Sequence, residues 1–215
     1  MDKISLLCRG KSLGSIKLLP KVDECVIVNS FQNELKIKDV SDYVVECKKV
    51  THVCSLGAQF KPMISNGIYE EYNINKIVLP YIKECCPPIP DFMRHIGVPI
   101  DEMSDVNKSD MVSTPRYKFT SPTAGMDALL YCVNDLQKKE INIIGIDFYD
   151  GVGYLTNSHG ETTVNDEQAI NRGEDTDMMK SFFINFVKKH SDVTFNIFTK
   201  SKFDEEIDNL KIILV

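Results

Sequence analysis

The chain has 215 residues, and hydrophobic residues make up 43% of them, which is enough to bury the core of one α/β domain spanning residues 1–215. The net charge of -6 at pH 7 argues against a nucleic-acid binder, because such proteins take their affinity from a basic surface that neutralises phosphates. This charge is compatible with the binding of a single nucleotide.

The first residues, MDKISLLCRGKSL, contain too short an apolar run for a signal peptide, and no later run is long enough to span a membrane. None of the seven cysteines forms a CxxC pair, and several lie inside apolar runs. We therefore expect reduced thiols, no structural zinc or disulfides, no transmembrane segment and a cytoplasmic location.

Short apolar runs rich in β-branched residues predict seven strands, at 4–8, 25–29, 51–56, 75–80, 141–148, 193–198 and 211–215. The runs are near-continuous rather than alternating, which is typical of parallel strands covered on both faces. Helical spacing of apolar residues predicts helices at 123–139 and 176–190. The order strand, helix, strand predicts a single α/β domain with a Rossmann-like, doubly wound and mainly parallel sheet.

Two stretches lack this periodicity. Residues 85–122 are rich in proline and polar residues, and we expect an irregular insertion at the surface. Residues 149–175 are long for a loop in a compact domain, and loops of this length are commonly lids or binding loops. We expect the second stretch to form a lid over a site.

The first predicted strand ends in CRGKSLGS, where Arg9, Gly10, Lys11 and Ser12 offer groups that bind anions. A phosphate-binding P-loop would need a further glycine where this chain has Ser5, so an ATPase is disfavoured. Ligands of open parallel sheets bind at the carboxyl ends of the strands, which is where this loop lies. A plain solvated turn is the alternative.

Two further positions have the same location in the predicted sheet. Asn29 ends the second strand, and its amide can donate to a phosphate or accept from a sugar hydroxyl, although asparagine is also a common turn residue. Thr123, Ala124 and Gly125 begin a helix whose unpaired N–H groups can bind an anion or the edge of a base. An ordinary proline-led helix start is the alternative there.

The stretch SPTAGMDALLYCVNDLQKKEINIIGIDFY, followed by a Gly-rich turn and Tyr154, resembles the bacterial sialyltransferases that act on lipooligosaccharides. The segments ISLLCRGKSLGSI, VDECVIVNSF and GEDTDMMKSFFINFVKKHSDVTFNIFT are similar to the opening strand and loop, the strand ending in Asn, and a later helix and strand of that family. The resemblance covers nearly the whole chain.

The resemblance implies a GT-A-like sialyltransferase variant of the Rossmann-type fold. It implies an enzyme that transfers an acidic sugar from a CMP-sugar to a hydroxyl of a glycan acceptor, with inversion, without metal and with no cofactor besides the donor. By position, Tyr149 and Tyr154 match the tyrosines that contact the phosphate. The substrate-binding positions that it implies are Arg9, Gly10, Lys11, Ser12, Asn29, Thr123, Ala124, Gly125, Asp147 and Arg172.

The chain departs from the family at the general base. Arg172 stands where the family has a histidine, and an arginine remains protonated and cannot accept the proton of the acceptor. His159 lies in the same predicted lid and is the candidate replacement, with a surface histidine as the alternative. The motif Asp175-Thr176-Asp177 spells the Asp-x-Asp of metal-using glycosyltransferases, but at the start of a helix it is better explained as a cap.

Two alternatives remain open at the level of sequence. One is a non-catalytic protein that binds a nucleotide or glycan and has lost the base, and the other is a nucleotide-dependent enzyme of different chemistry on a similar sheet. A homo-oligomer is compatible with either. The sequence gives no code for the donor sugar or the acceptor.

Overall fold

The computed structural model describes residues 2–54, 63, 66–79, 98–102, 123–159, 162–163, 165, 167 and 176–215. Eight strands form the main sheet: β1 (Lys3–Leu7), β2 (Glu24–Val28), β3 (Lys49–Val53), β4 (Ile74–Leu79), β5 (Ile100–Glu102), β6 (Glu140–Ile144), β9 (Thr194–Thr199) and β10 (Leu210–Leu214). Two short strands form a separate hairpin, β7 (Ser158–His159) and β8 (Thr162–Thr163).

Helices connect most of these strands. They are α1 (Lys38–Glu46), α2 (Ile68–Glu71), α3 (Ala124–Leu130) and α4 (Thr176–Lys189). A π-helical turn, Tyr131–Asp135, continues α3, and two 3₁₀ helices lie at Lys11–Leu18 and Glu34–Lys36.

The strand order in the main sheet is β10-β9-β6-β1-β2-β3-β4-β5, and every described pair in it is parallel. Leu7 of β1 lies opposite Ile27 of β2 on one side and opposite Ile144 of β6 on the other. The chain therefore runs outward from β1 in one direction up to β5 and in the other direction from β6 onward. This confirms the predicted α/β, Rossmann-like architecture.

Two apolar cores cover the two faces of the sheet. One core packs α3 and α4 against the sheet, with Phe183 and Phe195 fully buried. The other packs α1 and the Lys11–Leu18 helix against the opposite face, with Phe31 fully buried. Burial on both faces explains why the strands read as continuous apolar runs.

Two predicted elements end early. The strand predicted to run to residue 148 stops at Ile144, because Gly145 has a φ of 82° that leaves the extended conformation. The helix predicted to run to 139 stops at Asp135. Lys138 therefore does not lie at a helix end but forms an ion pair with Glu24 at 2.5 Å.

The two stretches without periodicity contain regular structure. Ile100–Glu102 pairs with β4 as the outermost strand of the sheet, which differs from the irregular segment expected over 85–122. The hairpin of β7 and β8 lies within 149–175. Arg172 and Asp175 lie outside the described residues, as does most of 85–122.

No helix in the described part of the chain is long and apolar enough to cross a membrane.

Candidate functional site

The order in which successive strands are added to the sheet reverses between β1 and β6. The chain continues from β1 toward β2 on one side, whereas β6 lies on the other side and continues toward β9. In open parallel sheets the loops that leave the carboxyl ends of two such strands diverge and form a crevice for ligands. The loop after β1 contains Arg9, Gly10, Lys11 and Ser12, and the loop after β6 contains Asp147 and Tyr149.

Two glycines allow these loops to lie against each other. The Gly10 N–H donates to the Gly145 carbonyl at 2.8 Å, and the Cys8 N–H donates to the Ile144 carbonyl at 2.7 Å. A Cβ at Gly10 would lie 2.5 Å from Asp147 Oδ2, and a Cβ at Gly145 would lie 2.1 Å from the Cys8 carbonyl oxygen. Any side chain at either position would push the two loops apart.

Asp147 connects the ends of three strands. Its Oδ2 accepts from the Ser12 N–H at 2.8 Å, and its Oδ1 accepts from the Lys200 N–H at 2.8 Å and from the Thr199 hydroxyl at 3.2 Å. The Ser12 hydroxyl in turn accepts from the Gly145 N–H at 2.9 Å. Asp147 and Ser12 are both buried, so these two predicted substrate contacts hold the loops in place.

The turn after Asp147 brings a tyrosine to the crevice. Phe148 and Tyr149 both have positive φ angles, 52° and 53°, which non-glycine residues adopt rarely. The Phe148 ring is buried against Phe183, with 5.5 Å between ring centroids, and the Phe148 carbonyl accepts from the Thr176 hydroxyl at 2.8 Å. Strained backbone held by surrounding contacts is typical of functional sites.

The hydroxyls of Tyr149 and Tyr154 lie 2.9 Å apart. Their rings are 5.9 Å apart and nearly perpendicular, at 86°. Tyr154 forms a β-bridge with Gly10, so the second tyrosine is held against the loop after β1. The structure thus brings the two predicted phosphate contacts together at the point where the sheet reverses.

Residues 154–158, which we call the strap, cross the ends of β1 and β2. The Leu155 N–H donates to the Arg9 carbonyl at 2.8 Å, and Nη2 of Arg9 donates to the Ser158 carbonyl at 2.7 Å and to its hydroxyl at 3.1 Å. The Arg9 guanidinium lies over the Tyr154 ring, 4.9 Å from its centroid. Lys11 reaches the Asn157 side chain at the exposed edge of the strap, at 3.2 Å.

Arg9 is paired with a carboxylate that the sequence did not single out. Nε of Arg9 lies 3.1 Å from Oε1 of Glu34, and the two side chains are 5% and 0% exposed. The Thr156 hydroxyl donates to the same Glu34 oxygen at 2.7 Å. The positive charge of Arg9 is therefore neutralised inside the protein.

Asn29 ends β2 in the left-handed conformation, with a φ of 52°. Its N–H donates to the Val53 carbonyl at 2.9 Å, and its carbonyl accepts from Nε2 of His52 at 2.6 Å. Because Nε2 donates, Nδ1 of His52 must accept from the Tyr69 hydroxyl, which lies 2.7 Å away. Burial lowers the pKa of His52 to about 4, so the ring is neutral at pH 7.

The start of α3 lies beside the end of β1. The Thr123 hydroxyl caps this helix by accepting from the Met126 N–H at 3.4 Å. A Cβ at Gly125 would lie 3.0 Å from the Cys8 sulfur, which shows how closely Ala124 and Gly125 approach the strand. The 123–125 segment thus reaches the same edge of the sheet as Gly10.

The candidate base, His159, and Arg172, which stands at the family's base position, are less completely described. The backbone of His159 belongs to β7 and pairs with Thr162, while its side chain, like the whole of Arg172, lies outside the described part of the structure. Among the described residues, no group of three or more His, Cys, Asp or Glu side chains could hold a metal ion.

Comparisons with protein-family models, with curated proteins and with solved structures found no significant match to this chain.

The role of Glu34 could not be assigned from the sequence, because its partner Thr156 lies 122 residues away and the contacts around Arg9 are equally remote. Arg9 lies 149 residues from Ser158 and Ser12 lies 135 residues from Asp147, so no local pattern records these contacts. In the sequence Glu34 stands between Asn33 and Leu35, at the start of a short 3₁₀ helix after Asn29, and this gives no local signal that its carboxylate is buried. A carboxylate in such a place is buried only when it is paired.

Chemically, this arrangement offers neutral hydroxyl donors beside an arginine whose charge is already paired. Tyrosine hydroxyls can donate to an anionic oxygen, whereas Arg9 already has Glu34 as its counter-ion. Hydroxyl donors held in a fixed position stabilise charge that develops on a leaving group.

Proposed function

We propose that the chain is a glycosyltransferase of the sialyltransferase type, with a GT-A-like variant of the Rossmann fold. It transfers an acidic sugar from a CMP-sugar to a hydroxyl of a glycan acceptor. The observation that carries this proposal is the convergence of the Tyr149 and Tyr154 hydroxyls, 2.9 Å apart, at the carboxyl edge between β1 and β6. Asn29, at the end of β2, and the 123–125 segment, at the start of α3, supply contacts for the nucleotide.

The reaction needs an activated acceptor and a stabilised leaving group. The acceptor oxygen forms a bond to the anomeric carbon while the bond from that carbon to the phosphate oxygen breaks, which inverts the configuration. The two tyrosine hydroxyls donate to the departing CMP phosphate, and the acceptor proton passes to a base, for which His159 is our candidate. No divalent cation takes part in this proposal, because a single phosphate can be stabilised by neutral donors.

The free thiols favour a reducing compartment for this enzyme. All five cysteines in the described part of the chain are unbridged and buried, as expected of cytoplasmic proteins. We therefore include a cytoplasmic location in the proposal.

The first prediction concerns the two tyrosines. Replacing Tyr149 or Tyr154 with Phe removes one donor from the leaving phosphate, and we expect the release of CMP from a CMP-sugar to slow by about 100-fold, as for loss of a single oxyanion donor. Tyr72→Phe is the matched control, since its hydroxyl donates to the Leu35 carbonyl away from the crevice. The proposal fails if titration calorimetry shows no binding of CMP or CDP to the wild-type protein.

A second function has one observation in its favour. Arg9 is held by Glu34 and Ser158, and Asp147 is held by Ser12 and Lys200, so both predicted substrate contacts are used inside the protein, as in a protein that binds a ligand without catalysing a reaction. A non-catalytic protein that binds a CMP-sugar or a glycan would bind CMP in calorimetry but release none from any CMP-sugar. His159→Ala separates the two functions, because it slows release only if the wild-type protein is a transferase.

A further inference from the structure

We propose that Glu34 is a positioning residue that acts through Arg9 to hold Tyr154 against Tyr149. This inference rests on the proposed function for its catalytic consequence, but the positioning itself is a property of the chain alone. Glu34 does not touch the tyrosines; it contacts Arg9 and Thr156.

The argument begins with the burial of the ion pair. Arg9 and Glu34 are 5% and 0% exposed, and removing two charges from water costs as much as their attraction returns. Oε2 of Glu34 is moreover buried without a hydrogen-bond partner in the described part of the chain. A pair with these properties contributes little to stability, which points to a role in fixing one arrangement of the chain.

The pair fixes the strap. Oε1 of Glu34 binds both Arg9 and Thr156, and Arg9 binds Ser158, so one carboxylate oxygen reaches the strap directly and through the guanidinium. The Asn33 side chain donates to the Ser158 hydroxyl at 3.0 Å, and that hydroxyl lies 2.7 Å from the Thr156 hydroxyl. The segments that follow β1 and β2 therefore hold the strap at its middle, Thr156, and at its end, Ser158.

The strap in turn fixes Tyr154. This residue begins the strap, bridges to Gly10 and lies beneath the Arg9 guanidinium. A guanidinium that lost its carboxylate would leave this buried place for water, since an uncompensated buried charge is strongly unfavourable. Tyr154 would then lose the contact that sets its ring, and its hydroxyl would no longer remain 2.9 Å from that of Tyr149.

The first test is hydrogen exchange on the intact chain. Glu34→Gln keeps an oxygen that can accept from Thr156 but removes the charge that holds Arg9. We expect the Leu155 amide and the rest of the strap to exchange at least tenfold faster, while peptides from β1 and β6 keep their protection. Glu24→Gln is the matched control, because it breaks the ion pair with Lys138 at the opposite edge of the sheet and should leave the strap unchanged.

Two exchange results would overturn the inference: protection of the strap equal to wild type, or equal loss of protection throughout the sheet. If Glu34→Gln fails to fold, Arg9→Lys provides a second test, since it keeps a positive charge beside Glu34 but removes the Nη2 contacts to Ser158 and the planar group over the Tyr154 ring. Faster exchange confined to the strap would support the inference, and unchanged exchange would contradict it.

The second test uses CMP release and separates positioning from a purely structural role. Glu34→Gln should lower kcat about tenfold with little change in KM, and it should add nothing to the defect of Tyr154→Phe in the double variant. Additive defects would contradict positioning through Tyr154. If the wild-type protein releases no CMP, the proposed function fails, while the exchange experiment still decides the role of Glu34.

Discussion

Some residues in this molecule matter because other backbone atoms lie very close to them, and not because their side chains react. Gly145 is the clearest case, because its φ is 82° and a Cβ there would lie 2.1 Å from the Cys8 carbonyl oxygen. Gly151 has a similar φ of 73°, but nothing lies within 4 Å of the place that its Cβ would occupy. A comparison of substitutions at the two glycines therefore separates the cost of backbone strain from the cost of a steric clash.

Replacing Gly145 with Ala should lower the free energy of unfolding by about 3 to 5 kcal/mol, through strain and the clash together. Replacing Gly151 with Ala should cost only about 1 kcal/mol, since strain is the sole penalty there. Urea unfolding of both variants measures the difference. Equal costs at the two positions would show that the loops after β1 and β6 are not in contact.

His52 is a buried titratable residue whose protonation affects stability in acid. Burial lowers its pKa to about 4, and its hydrogen bond to the Asn29 carbonyl only partly opposes this effect. In the unfolded chain a histidine has a pKa of about 6.5 and binds its proton first, so protonation favours unfolding. Stability from this residue is present above pH 6.5 and is lost as the pH falls toward 4.

We expect wild-type protein to lose about 3 kcal/mol through His52 between pH 7 and pH 4. The neutral variant His52→Gln should lack this part of the pH dependence, while the carboxyl groups titrate in both proteins. Unfolding curves across this range give the comparison. Parallel pH profiles for the two proteins would mean that His52 is not held neutral.

At the scale of elements, hydrogen bonds to Asp147 join the carboxyl ends of neighbouring strands, in addition to the packing of helices against the sheet. Its two carboxylate oxygens accept from Ser12 after β1 and from Thr199 and Lys200 at the end of β9. Three strand ends therefore share one side chain.

Asp147→Asn replaces one acceptor oxygen with a donor that faces other donors. We expect a loss of about 3 kcal/mol in the free energy of unfolding, the upper range for hydrogen bonds to a charged group. Asp150 lies three residues later in the same turn, and its carboxylate is 41% exposed and paired with Lys180, so Asp150→Asn should cost less than about 1 kcal/mol. Thermal unfolding of both variants tests this, and similar melting temperatures would refute the special role of Asp147.

The elements themselves were largely predictable. Buried parallel strands leave a local record, since each is a run of apolar residues, and all seven predicted runs overlap with strands of the main sheet. β5 was missed because a three-residue strand at the edge of a sheet needs no apolar run. The early end of β6 at Gly145 reflects a contact with Cys8, which the local pattern does not contain.

At the scale of the whole molecule, the parallel, doubly wound sheet followed from the order of strands and helices. The reversal of strand order beside β1 makes the ends of β1 and β6 neighbours, which is where ligands of such sheets bind. The side-chain contacts at these strand ends were harder to predict. Glu34 joins Arg9, and Asp147 joins Ser12, only in the folded chain, and a single sequence records neither pair.

The position of β1 has a consequence for how the molecule forms. β1 can pair with β2 as soon as both have been made, but its other neighbour, β6, follows more than a hundred residues later, and Ser12 must wait for a partner 135 residues away. Long-range parallel pairing is slow because a large loop must close first. The crevice is therefore assembled late during folding, after the half of the sheet from β1 to β4 has had time to form, and until then the apolar edge of β1 is open to pairing with other chains.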